Sequence, residues 1–185
     1  MPKTQLELNI EKRKKLLDEG IIIINSGFDN VLMERVFFEL HELVKDHNIP
    51  KISIYINSNG GAVDALMPLV DIIDSCGKPI QTVVMGKAYS AGCMLALCGH
   101  KGLRFGLKHS EYLVHEVATS SYYEKNSQIQ KDADNIQRIN DTLIDLLKKR
   151  TKMKAPEIKR FMESNMDEFI NSKEALKFGI IDKIL

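Results

Sequence analysis

A chain of 185 residues, 44% of them hydrophobic, has material for one ordinary core and too little for two full-sized domains. Its 26 Lys plus Arg against 25 Asp plus Glu leave a formal charge of +1, so there is no basic excess to track phosphates, which argues against nucleic acid as a partner. The longest apolar stretch, Ala91 to Cys98, falls well short of the ~20 residues that span a bilayer, and the opening MPKTQLELNI lacks the apolar core of a signal peptide. The expectation is a soluble, cytoplasmic protein without a membrane partner. Cys76, Cys93 and Cys98 form no CxxC or Cys/His cluster and read as reduced thiols, with neither a disulfide framework nor a metal site implied.

Taken in chain order, the β-branched run Ile21 to Ile24 predicts a strand. Asp29 to Asp46 then places Met33, Val36, Phe37, Leu40 and Val44 at helical spacing, and Ile52, Ile54 and Ile56 alternate as a second strand within Lys51 to Asn57. A helix over Val63 to Cys76 ends at Gly77, and Pro79 opens a third strand, Ile80 to Met85. Ala91 to Cys98 is apolar all round, as a buried helix is, and Tyr112 to Val114 reads as a short interior strand. Elements alternating this way favour an α/β fold with a mostly parallel sheet. From Thr119 to Asn135 the clear apolar residues are only Tyr122, Tyr123, Ile129 and Ala133, yet the segment runs into the good helical stripe Ile136, Ile139, Leu143, Leu146, Leu147. That predicts one long helix whose first half projects from the body, either to meet another chain or as a solvated surface helix. A short helix from Pro156, a second over Ser172 to Phe178, Gly179 and the strand-like Ile180 to Leu185 complete the chain.

Three features fall just after predicted strands: Gly60-Gly61, Ser90 and His115. The carboxyl ends of strands are where open α/β sheets build their sites. Ser90 lies in a tight strand-to-helix turn, Gly86-Lys87-Ala88-Tyr89-Ser90-Ala91-Gly92, where serine can simply cap the helix. The other reading is a nucleophile, which needs a neighbouring base and amide donors for the oxyanion. The Gly60-Gly61 turn and the helix start after Ser90 offer such donors. His115, directly after an apolar strand, is either a hydrogen-bonded core imidazole or that base. His41, His47, His100 and His109 have surface or loop explanations, and composition selects no orienting acid from 25 carboxylates. Lys12-Arg13-Lys14-Lys15 is a solvated helix face, and Lys148, Lys149 and Arg150 complement a helix end.

Ile54-Tyr55-Ile56-Asn57-Ser58-Asn59-Gly60-Gly61, Met85-Gly86-Lys87-Ala88-Tyr89-Ser90-Ala91-Gly92, Leu113-Val114-His115, and Asp167-Glu168-Phe169 leading into Glu174 to Asp182 resemble, in order and spacing, the proteolytic subunit of the Clp protease. The resemblance runs from about Ile10 to Leu185. It implies a ClpP-like, crotonase-like α/β fold of stacked ββα units: one domain, 1–185, whose head carries an inserted, projecting handle at about 119–152. It implies a serine endopeptidase acting on peptides or unfolded proteins inside an oligomeric chamber, a homo-oligomer of stacked heptameric rings. Residue by residue, it makes Ser90 the nucleophile, His115 the general base and Asp167 the orienting acid, with the backbone N–H groups of Gly61 and Ala91 as oxyanion donors. Substrate is expected to lie extended against backbone near Gly60, Gly61, Val63 and Ala118. No cofactor is implied; ATP belongs to a separate Clp ATPase unfoldase.

Several positions depart from the family pattern. Asn59 replaces a proline, Ala91 a methionine, Tyr89 a small residue, and Glu116-Val117 a glutamine and proline. The glycine pair that begins the handle is missing, and Met166 precedes Asp167 in place of arginine, which makes Glu163 the fallback acid. About nine residues precede the first matching segment, and Ser53 replaces an aromatic of the pocket that receives the ATPase loop, so an ATPase partner is implied less firmly than peptidase chemistry. The alternatives from other classes are an inactive ring subunit supporting a paralogue, a crotonase-type acyl-CoA enzyme using Gly60-Gly61 without Ser90, and a Ser/Lys peptidase with Lys87 as base.

Overall fold

The computed structural model describes residues 3–118, 126–163 and 167–185. Thr4 caps the first helix, α1 (Gln5–Asp18), in a reciprocal box with Glu7, and none of its residues is buried. The tetraisoleucine run forms β1 (Ile21–Ile24), and Asp29, accepting from the Leu32 N–H at 2.7 Å, starts α2 (Asn30–Lys45). The buried face of α2 is Leu32, Val36, Leu40 and Leu43; of the stripe expected from the spacing, Val36 and Leu40 are core, Met33 and Val44 pack half-buried against it, and Phe37 is exposed. β2 (Ile52–Ser58), α3 (Val63–Ser75), β3 (Ile80–Tyr89) and α4 (Ala91–Ala96) follow, and all six residues of α4 are buried.

β1, β2, β3 and a short β4 (Arg104–Gly106) run parallel in that spatial order, and β7 (Lys183–Ile184) lies parallel on the far side of β4. The ten residues of β3 serve two successive partners. Thr82–Val84 pair with β4, and Lys87–Tyr89 pair with β5 (Glu111–Leu113). β6 (Phe169–Asn171) runs antiparallel to β5. The register against β2 jumps from Ile56↔Val84 to Ser58↔Ala88, and Gly86, at φ 88° beside the Asn57 amide, absorbs the extra residues. This kink corrects the expectation that the third strand stops at Met85: the residues read as a turn are strand through Tyr89, because Glu111–Leu113 supply a second edge to pair with. Three elements carried no strong sequence signal, α1 because it buries nothing and β4 and β6 because three residues cannot show a period. The predicted C-terminal strand shortens to β7, with Ile180 and Ile181 buried as core.

One hydrophobic cluster extends from Ile22 to Ile181, through the sheet, α2, α3, α4 and the ends of the later helices. α5 (Asn126–Arg150) contributes Leu143 and Leu147 to it, while its described side chains from Ile129 to Ile139 stay exposed or half-exposed. Among the described residues the long helix is therefore anchored to the core through its C-terminal half alone. The start of the handle expected from Thr119 lies outside the described residues. α6 (Ala155–Met162) opens with Pro156 near its N-terminus, and α7 (Ser172–Phe178) is capped by Asn171 and closed by Gly179 in the left-handed conformation. Among the described residues no helix is long and apolar enough to cross a membrane.

Candidate active site

The site begins with a strained residue. Ser90 joins β3 to α4 at φ 54°, ψ −121°, and among the described residues it alone, apart from glycines, has positive φ. Such a conformation costs on the order of 1–3 kcal/mol and persists only where its surroundings hold it. Its N–H donates to Leu113 O at 2.9 Å and its carbonyl accepts from Met94 N at 3.1 Å, while its side chain makes no cap hydrogen bond. The capping explanation of Ser90 therefore fails: the backbone is pinned on both sides and the hydroxyl is left uncommitted, as on the sharp strand-to-helix turns that present nucleophiles.

The Gly60-Gly61 turn packs directly on this serine. A Cβ on Gly60 would lie 2.5 Å from Tyr89 O and 2.6 Å from Ser90 Cβ, and one on Gly61 would lie 2.4 Å from Phe28 O. Only glycine allows both approaches. The turn is fixed by Phe28 N–H donating to Gly60 O at 2.8 Å, Ala62 N–H donating to Phe28 O at 2.9 Å, and Gly60 N–H donating to Ser58 Oγ at 3.1 Å. The N–H groups of Gly61 and Ala91, by contrast, serve no hydrogen bond among the described residues. Both of Gly60's main-chain groups are engaged, so Gly61, not Gly60, has a free donor there.

A cavity of about 540 Å³ opens over the turn. Ser90, Ala91, Gly61, Val63, His115 and Ala118 line it together, with Met94, Leu66, Ile139 and Leu143 as its apolar floor. These four floor residues look like core in the sequence, and only the meeting of α3, α4 and α5 marks them out. His115 leaves the end of β5, and the loop after it is tied to α5 by Val117 N–H donating to Asn140 Oδ1 at 2.8 Å. Behind His115, Nδ1 stands 3.5 Å from Asp167 Oδ1, with side chains 29% and 54% exposed respectively. That is an ion-pair distance, longer than a hydrogen bond, and no hydrogen bond joins Ser90 Oγ to the imidazole. Unliganded sites commonly hold such contacts open until substrate tightens them.

The rival groups stand elsewhere. Glu163 pairs with Lys159 at 3.6 Å, and Lys87 lies 6.0 Å from the Tyr89 ring centroid, outside the cavity lining. His100 Nδ1 accepts the Ile80 N–H at 2.9 Å, a purely structural bond, and His41 stacks on Phe37. Burial pushes the Cys93 and Cys98 thiols up to about 12, which leaves them protonated and poor nucleophiles at neutral pH. Among the described residues no group of three or more His, Cys, Asp or Glu side chains could hold a metal ion.

A mostly parallel α/β sheet that offers an uncommitted serine hydroxyl, two free amide donors and a His–carboxylate pair around one cavity has the parts an acyl-transfer hydrolase needs. Comparison with known proteins narrows the class. The family model described as Clp protease matches residues 4–185. The chain is 33% identical over 171 residues to the ATP-dependent Clp protease proteolytic subunit 1 of Thermobifida fusca (strain YX), covering 92% of this chain and 76% of that one. It is 28% identical over 171 residues to the ATP-dependent Clp protease proteolytic subunit of Deinococcus radiodurans, covering 92% and 82%. The chain belongs to the Clp protease family, with the ClpP-like α/β fold expected of it, and is by class a protease.

Proposed function

We propose that the protein is a serine endopeptidase that hydrolyses peptides or unfolded proteins through Ser90, His115 and Asp167, within a homo-oligomeric ring chamber. The observation that carries this reading is the pinned, strained Ser90, whose side chain makes no cap hydrogen bond and which shares one cavity with His115, Gly61 and Ala91. Because Nδ1 of His115 faces Asp167, Nε2 remains for the serine. The carboxylate fixes that tautomer and favours the imidazolium formed as Ser90 Oγ gives up its proton and attacks the peptide carbonyl. The oxyanion is then held by the Gly61 and Ala91 N–H groups, the leaving amine takes the proton back from Nε2, and water releases the acyl group by the same steps reversed. Substrate lies extended along the cavity, with Val63 and Ala118 at its walls and main-chain pairing from Gly61 onward.

No cofactor takes part in this scheme, and the stacked heptameric rings and cytoplasmic setting implied by the sequence are part of the same reading. The relatives are named ATP-dependent, so ATP would be consumed by a separate Clp unfoldase. Ser53 is buried in β2 and presents no ring to such a partner, so peptide hydrolysis without ATP is the activity to assay first.

Fluorophosphonate labelling with intact-mass analysis of size-separated fractions tests the scheme. One adduct on Ser90 is expected in the assembled fraction, absent from Ser90→Ala. Peptide hydrolysis should fall by ~10⁴-fold or more in Ser90→Ala and in His115→Ala, with assembly retained. Turnover at the wild-type level in either variant removes the mechanism.

A further inference from the structure

Asp167 is more than half exposed, so its place beside His115 depends on what holds the chain around it. On its C-terminal side the chain enters β6, a three-residue strand paired, among the described residues, to β5 alone. One tether is Glu168, which accepts from Arg160 Nε on α6 at 3.0 Å. Arg160 Nη2 reaches the second carboxylate oxygen as well, but the pair lies at the surface, Arg160 61% and Glu168 33% exposed, where solvent screens it, and it ties this segment to α6 rather than to the nucleophile's strand.

The second tether comes from beside the nucleophile. The register aligns Tyr89 of β3, Leu113 of β5 and Phe169 of β6 in one row across three strands. That row lies one residue before Ser90, two before His115 and two after Asp167 in the chain. The Tyr89 ring reaches over Leu113 and meets Phe169 edge-on, with centroids 5.3 Å apart at 67°. The Tyr89 hydroxyl donates to Glu111 Oε2 at 2.8 Å, which fixes the ring from the far side. Burial, and then the Glu111 carboxylate, push that phenol above its ordinary range, so it remains a donor at neutral pH. Tyr89 does not line the cavity, so its ring is not placed to touch substrate.

We propose that Tyr89 is a positioning residue for the hydrolysis: anchored on Glu111, its ring clamps Phe169 and so holds the entrance of β6 that keeps Asp167 on the Nδ1 side of His115. The inference rests on the roles of Ser90, His115 and Asp167 proposed above. It links the nucleophile's strand to the acid's strand through a side chain that sequence comparison marks only as an unusually large neighbour of the serine.

The test compares Tyr89→Ala, Tyr89→Phe and Phe169→Ala, each alone and combined with Asp167→Ala, in the full-length assembled protein. Tyr89→Ala and Phe169→Ala are expected to lower kcat on a fluorogenic peptide about tenfold with KM within about twofold, while Tyr89→Phe, which keeps the ring edge, stays within about threefold. Fluorophosphonate acylation remains measurable in slow variants, so it supplies the coupling. Once Asp167 is Ala, adding Tyr89→Ala should slow acylation by less than about twofold. An undiminished kcat in Tyr89→Ala or Phe169→Ala overturns the proposal. So does a loss of the same size whether or not Asp167 is present, or a raised KM at constant kcat, which would make Tyr89 a substrate contact. Should Tyr89→Ala fail to assemble, Phe169→Ala carries the same comparison from a position 57% exposed, where truncation leaves no cavity. Hydrolysis that survives Ser90→Ala defeats the underlying scheme instead, whatever the Tyr89 variants do.

Discussion

Ser90 and Gly60 are complementary at the scale of single residues: one accepts a strained backbone, and the other leaves room for it. Gly60 has φ 89° and its missing Cβ is the space occupied by Tyr89 O and Ser90 Cβ, both backbone or backbone-proximal atoms with no flexible end to yield. Gly60→Ala should therefore displace the nucleophile, lowering kcat/KM by ~10²-fold, since shifts near an ångström cost that much in a positioned site. Gly77→Ala is the control. It has a similar φ of 71° with nothing within 4 Å of the added methyl, so about 1 kcal/mol of stability and no activity should be lost. Parallel kinetics and urea titrations on the two variants check this, and equal effects on activity would mean that strain alone, not contact with Ser90, makes Gly60 necessary. The glycine pair was visible in the sequence as a turn after a strand. What it touches was not, because Gly60 and Ser90 are thirty residues apart and meet only when β2 and β3 pair.

At the scale of elements, the chain's last segment is tied to the sheet by a charged pair. Asp182 accepts from Arg104 Nε at 2.9 Å and Nη2 at 2.6 Å, and also from the Gly102 and Arg104 N–H groups at 2.8 and 3.1 Å. Burial by itself raises the Asp182 pKa, but the Arg104 hydrogen bonds and charge, together with the two N–H groups, outweigh it and hold the carboxyl below its ordinary 3.8. Because the folded value is the lower one, the pair's full contribution is present above the ordinary value and is lost as pH falls through the folded one. Asp182→Ala, which strands a buried arginine, should cost about 3 kcal/mol at pH 7. The gap to wild type should narrow as the pH is taken below 3.8, read from urea midpoints at successive pH values. A gap that stays constant down to acid pH would show that packing, not charge, is what the aspartate supplies. The elements joined here, β4 and β7, have three and two residues, so their existence depends on pairing and on this ion pair rather than on any periodicity a sequence could display.

For the whole molecule, α5 poses the question of what the exposed half of a 25-residue helix is for. Its C-terminal half is bound by Leu143 and Leu147, whereas Ile129, 49% exposed, has no core beneath it among the described residues. An isolated helical half of that composition gains little from its own propensity and needs a packing partner. In the proposed ring chamber that partner is another copy, so Ile129→Glu should lower the assembled mass measured by light scattering and reduce specific activity in step with it. A mass unchanged by the substitution would place this face of α5 outside the subunit contact.

The alternation of strand and helix from Ile21 to Cys98 was legible in the sequence, though not the ends of β3 and α4, because those elements are long enough to show a hydrophobic period and carry their own boundary residues at Asp29, Gly77 and Pro79. The sequence also put Gly60-Gly61, Ser90 and His115 at strand ends, and family resemblance added Asp167. It took the folded chain to show that the Ser90 side chain makes no cap hydrogen bond, that β3 runs on to Tyr89, and that His115 and Asp167, fifty-two residues apart, face one another at 3.5 Å. The reason is physical. Periodicity and capping are local free energies written into a few consecutive residues, whereas a strained φ, a kinked register and a charge pair exist only where separate strands close on each other, and no short stretch of chain contains that information.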